Sequence, residues 1–190
     1  GEPELAVRVV RDIFNEDFSK LARELPVMSL CRFVDAPGVD AVVSDDRMAL
    51  AQAVGHLWDL GHRDIVHVDG GNVSTLSARR RDAYASAMGA RGLSGSVRVI
   101  EGGSTVAQGV GAAHVLAAWD PLPTAAICYN DSVAAGVART LRQRGIRVPE
   151  EISVVGFDDG PVAADPTTDL TTVVQDMDAI ASTAMELLAG

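Results

Sequence analysis

Four short, largely apolar runs, at 65–68, 97–100, 125–129 and 152–155, are separated by stretches whose apolar residues recur at helical spacing. Runs this short and this apolar suit strands covered on both faces, and a helix between each pair leaves parallel crossover connections as the economical solution. The expected fold is therefore α/β, with a parallel sheet flanked by helices. The intervening helices are expected at about 77–91, 106–118 and 132–144, with Gly92 and Gly145 ending the first and last, because glycine takes the left-handed stop without steric cost. Upstream, Met48, Ala51, Val54, Leu57 and Trp58 mark another helix from about Arg47 to a stop at Gly61, and this stripe is expected to serve an internal core. A helix at 14–24, short strands at 26–30 and 41–43, a strand at 170–174 leaving the sheet and an amphipathic helix at 176–188 complete the reading.

In an open parallel sheet, ligands sit in the crevice beyond the carboxyl ends of the strands. The unusual polar residues collect there in the sequence order: Ser74, Thr75, Ser77, Arg79, Arg80 and Arg81 after the first run, Ser104 after the second, Asn130 and Asp131 after the third, Asp158 and Asp159 after the fourth. A guanidinium fork, an amide and a carboxylate together satisfy the vicinal hydroxyls of a sugar or the edge of a base. Plainer roles stay open beside this one. The arginines also read as a solvated helix start, Asn130 or Asp131 as a helix cap, and Asp158-Asp159-Gly160 as a turn.

Bulk properties narrow the function classes. The 190 residues are 47% hydrophobic, enough for one good core or two small ones, and no run of 18 apolar residues or charged-then-apolar leader is visible. A cytoplasmic protein is the expectation. A formal charge of −10 argues against a phosphate backbone held by this chain. Cys31 and Cys128 each stand in an apolar stretch without redox or metal spacing, and His56, His62, His67 and His114 form no metal pattern. No glycine-rich nucleotide loop or catalytic constellation is present, so no metal, cofactor or enzymatic activity is expected. A sugar- or nucleotide-processing enzyme remains the reading from another class.

The segment 152–159 (ISVVGFDD) followed by 170–175 (LTTVVQ), with Asn130-Asp131 and the Gly61-His62-Arg63 helix exit upstream, resembles the effector-binding domain of LacI/GalR-type bacterial transcriptional regulators from about residue 25 to 188. The resemblance implies a two-lobed, type I periplasmic-binding-protein-like fold with an incomplete first subdomain. Residues 1–61 plus 176–190 would form that first subdomain, residues 62–172 the second, and the DNA-reading helix-turn-helix would lie outside this chain. It also implies a small polar effector, a sugar, polyol or nucleoside, bound between the subdomains so as to change operator binding by a homodimer. Arg80, four before Tyr84, matches the family's effector-binding arginine, with Ala83 in place of the usual glycine; Asn130, Asp158 and Gln175 match its other ligand contacts. Ser104 stands where the family usually carries an aromatic, which implies a smaller or more polar ligand or a platform from elsewhere. Arg80 and Asp158 are expected to serve the ligand rather than the fold. The rival reading is the solute-binding protein of a sugar transporter.

Overall fold

The computed structural model describes residues 15–71 and 75–189. The chain divides into two compact units: residues up to Val43 with those from Met177 onward, and Ser44–Asp176. Ser74 of the expected rim and Phe14 of the expected first helix lie outside the described residues.

In the first unit, helix α1 (Asn15–Leu21) precedes strands β1 (Val27–Leu30) and β2 (Val39–Val42). The strands pair in parallel, Val27 opposite Val39 through Leu30 opposite Val42. Helix α6 (Met177–Ala189) packs on this pair and buries Ile180 and Ala184, four residues apart and hence on one face.

The second unit contains α2 (Asp46–Asp59), β3 (Ile65–Asp69), α3 (Thr75–Gly89), β4 (Arg98–Glu101), α4 (Val106–Leu116), β5 (Ala125–Cys128), α5 (Asp131–Gln143), β6 (Ser153–Asp158) and β7 (Thr171–Val174). Its five strands are parallel in the order β4-β3-β5-β6-β7. The four sequence runs are thus strands of one sheet, and the run at 170–174 joins them: β7 pairs with β6 as an edge strand before the chain departs.

Alternation along the strands feeds two apolar layers. Ile65, Ile127, Val155 and Phe157 meet α2 and α3 through Leu50, Val54, Leu57, Tyr84 and Met88. Val66, Val68, Ala126, Cys128 and Val154 meet α4 and α5 through Leu116, Val133, Val137 and Leu141. On the second face the helices touch backbone to backbone: a Cβ on Gly109 would strike the Val133 carbonyl, and one on Gly136 the Val106 carbonyl.

Helix α2 corrects the expected division at residues 61 and 62. Ala49, Leu50, Ala53, Val54 and Leu57 are buried in the layer that includes α3, which binds α2 to the second unit and moves the boundary to residues 43 and 44. The anticipated stripe is partly displaced, since Val54 and Leu57 are core while Met48 is exposed. Among the described residues no helix is long and apolar enough to cross a membrane.

Candidate functional site

The strand order reverses between β3 and β5: the chain goes from β3 outward to β4, then returns to the other side of β3 to build β5 and β6. Carboxyl ends flanking such a switch point leave a crevice. Arg80 of α3 fills its floor. Although it is an arginine, its side chain is only 2% exposed, and its guanidinium carbon lies 3.6 Å from the centre of the Phe157 ring and 4.9 Å from that of Tyr129. Its Nε reaches Asp46 Oδ1 at 3.3 Å, one terminal nitrogen donates to the Tyr129 carbonyl, and the other stands 3.6 Å from Asp158 Oδ1. A buried guanidinium is tolerable only when paired and hydrogen-bonded in this way.

Asp158 closes β6, and its carboxylate is 41% exposed. Its φ of 111°, followed by 56° at Asp159, lies in a region that non-glycine residues rarely adopt. Such conformations persist where surrounding structure over-determines them, and they gather at ligand clamps. Burial pushes the Asp158 carboxyl above its ordinary value, with Arg80 acting the other way and Asp131 adding to the rise. Gln175, just past β7, donates its amide to Asp158 Oδ1 and accepts from Ser44 Oγ at 3.0 Å.

The structure therefore brings Arg80, Asp158 and Gln175 into one group, joined by the Arg80–Asp158 ion pair and the Gln175–Asp158 hydrogen bond. Asn130 and Ser104 form a second group on the same rim. Asn130 is the cap of α5, its Oδ1 accepting from Val133 N at 2.9 Å while its Nδ2 donates to the Ser104 carbonyl at 3.0 Å. Both of its polar atoms have partners within the protein, so capping is fully realised here. Ser104 is exposed, and its backbone N–H is taken by Gln108 Oε1 at 3.0 Å. Asp131 does different work: buried, it accepts from Gly160 N at 2.7 Å and from Thr172 Oγ1, tying α5 to the loop after β6 and to β7.

Sequence reasoning missed Asp46 and Tyr129. Asp45 caps α2 through Met48 N at 3.0 Å, which releases the adjacent Asp46 to point inward, where it also meets Arg79 at 3.3 Å. The doubled aspartate at a helix start was the available signal, since one cap needs one carboxylate. Tyr129 gave none, because a strand-ending aromatic reads as core. Arg80, expected on the rim without a part in the fold, belongs to the core as well, with Asp46, Phe157 and the Tyr129 carbonyl around it. Arg81 pairs instead with Asp69, Nε to Oδ2 at 2.8 Å. Among the described residues no three His, Cys, Asp or Glu side chains gather as a metal-binding group.

Residues 54–190 match the model of the periplasmic binding protein-like domain family. The chain is 29% identical over 174 residues to the HTH-type transcriptional repressor PurR of Vibrio cholerae, covering 91% of this chain and 52% of that repressor. It thus spans about half the length of the curated relatives it matches. Among solved structures, a LacI transcriptional regulator from a Rhodococcus species superposes with a TM-score of 0.88 at 37% identity, over 94% of this chain and 66% of that one. A LacI family transcriptional regulator from Lactobacillus casei, solved with bound glucose, gives 0.75 at 28% identity over 92% and 67%. These relatives are regulators rather than enzymes, and the architecture they share with this chain is the α/β fold described above. The chain belongs to the periplasmic binding protein-like domain family, in the form found in LacI-type regulators.

Proposed function

We propose that this chain senses a small, hydroxyl-rich effector, carbohydrate-like, for a regulator that binds operator DNA through a segment other than this one. The observation that carries the reading is the buried Arg80 held between Asp46 and the half-exposed, backbone-strained Asp158 at the sheet's switch point. Asp158 and Gln175 present acceptor and donor atoms to the crevice, and Ser104 adds an exposed serine where an aromatic would favour a larger ring. Asn130 serves by fixing the α5 start and the Ser104 loop. The glucose in the Lactobacillus casei regulator supports the carbohydrate class. The repressor names of the relatives favour this reading over a transporter's solute-binding protein.

Regulation then requires the effector to bind one conformation more tightly than another, since a ligand with equal affinity for both shifts nothing. A cytoplasmic location and a homodimer follow from the same role, because a twofold protein matches a palindromic operator and doubles its contacts. A thermal-shift screen of sugars, polyols, nucleosides and small acids tests the reading. A ligand at about 100 times its dissociation constant adds about 2.7 kcal/mol. Stabilisation by a sugar or polyol that Asp158→Asn abolishes is the expected result. Stabilisation only by compounds indifferent to that substitution would overturn it.

A further inference from the structure

At the opposite end of the same sheet, where β6 and β7 begin, the surface holds a hollow of about 620 Å³, within the range of small-molecule sites. Leu57, Leu60, Val148 and Leu170 give it an apolar wall. Its polar lining includes three basic side chains, His56, His62 and Arg142, beside Ser153, Thr171 and one acid. His62 is set in place by two hydroxyls, Nδ1 3.0 Å from Thr124 Oγ1 and Nε2 3.2 Å from Ser153 Oγ. His56 also lines the hollow, and it is close enough to His62 to add its charge to the burial that lowers the His62 pKa. Arg142, at the end of α5, donates one long hydrogen bond to the Val148 carbonyl at 3.4 Å and pairs with no carboxylate among the described residues. Asp169, with a φ of 45°, is the single acid on the lining. In a chain with a formal charge of −10, a guanidinium without a carboxylate partner among the described residues, beside two imidazoles and over an apolar wall, is a local opening for an anion.

We propose that this hollow is a second ligand site, for a small organic carboxylate with an aliphatic or aromatic body. Its carboxylate meets Arg142 and its body lies on Leu60, Val148 and Leu170. The site is separate from the Arg80 rim but touches the same two strands, β6 and β7, whose far ends lead to Asp158 and Gln175.

The test is a methyl-detected NMR titration of the full 190-residue chain with hexanoate, and with hexanol as the uncharged control. Hexanoate is expected to shift the methyls of Leu60, Val148 and Leu170 at millimolar concentration. Arg142→Gln, an exposed position, is expected to weaken that binding by about tenfold or more, the scale of a charge-assisted hydrogen bond. Hexanol binding as tightly as hexanoate, an unchanged affinity in Arg142→Gln, shifts confined to Val173 near the rim, or no shifts at all would each overturn the proposal. Shifts confined to Val173 would point to the Arg80 rim instead, and the other results leave the reading of that rim untouched.

Discussion

His67 makes the stability of this fold dependent on pH in a calculable way. It sits in the middle of β3, fully buried, with its ring 5.4 Å from that of Tyr84. Its Nδ1 lies 2.9 Å from the Ile127 carbonyl; a carbonyl only accepts, so Nδ1 carries the proton of the neutral ring. Nε2 is then bare, and it has no hydrogen-bond partner. Protonating it would place a charged N–H against apolar surroundings and near Arg80 and Arg81. Burial is the main cause that pushes the His67 pKa from its ordinary 6.5 down to about 4, with the Ile127 bond and Asp69 opposing. Between these two values the unfolded chain binds a proton that the folded chain refuses, so stability rises with pH across the window and is lost as pH falls through it. A difference of roughly 2.5 units corresponds to about 3 kcal/mol in full, of which about 2 kcal/mol is lost by about pH 5. The perturbation is His67→Phe, which keeps a ring beside Tyr84 and removes the titration. It also deprives the Ile127 carbonyl of a donor, costing about 1–3 kcal/mol independently of pH. Urea unfolding of both proteins from about pH 7.5 to pH 5 provides the assay. The wild type is expected to lose about 2 kcal/mol more than the variant over that span. Parallel stability curves for the two proteins would refute the reasoning.

Arg80→Ala is expected to destabilise the chain by about 3–5 kcal/mol, the cost of removing one partner from a buried charge network, whereas Asp158→Asn leaves the melting temperature nearly unchanged and weakens effector binding ten- to a hundredfold; scanning calorimetry and a ligand titration separate the two. Gly136→Ala should cost about 1–3 kcal/mol through overpacking against the Val106 carbonyl, despite alanine's better helix propensity. Gly111→Ala, in the same helix pair but with open space at its Cβ, should stabilise by up to about 1 kcal/mol, and denaturant midpoints would show whether the signs differ. In a gel shift at physiological salt, this acidic chain is expected to give no sequence-specific DNA complex.

Periodicity made the sheet legible. The strand runs were apolar because both faces are covered, and the helix before them and two of those between them carried glycine stops where Gly61, Gly92 and Gly145 indeed adopt positive φ. Chain order alone then put Arg80, Asn130 and Asp158 on one rim, since parallel strands send all their carboxyl ends the same way. Allegiance between elements was less legible. The pattern of α2 shows that one face is buried, but Leu50 and Val54 look the same whichever layer receives them, and the boundary at residue 61 was misplaced for that reason. Depth was also hidden: an arginine in a polar run looks solvated, and only Asp46, far away in sequence, reveals that Arg80 is interior. Side-chain commitment was hidden too, because an Asn before a helix reads equally as a cap or a ligand contact, and the two bonds made by Asn130 are visible only in three dimensions.

The placement of α2 also decides where this chain can be cut. A piece beginning at residue 62 would keep all five strands yet leave Tyr84, Met88 and Ile127 facing water where Leu50, Val54 and Leu57 should lie, an apolar scar of the kind that drives aggregation. A piece spanning Ser44–Asp176 carries both layers whole, together with Asp46, Arg80, Asp158 and Gln175. The smallest portable module in this sequence therefore begins not at the first strand of its sheet but one helix earlier, at the aspartate pair that caps α2 and neutralises the buried arginine.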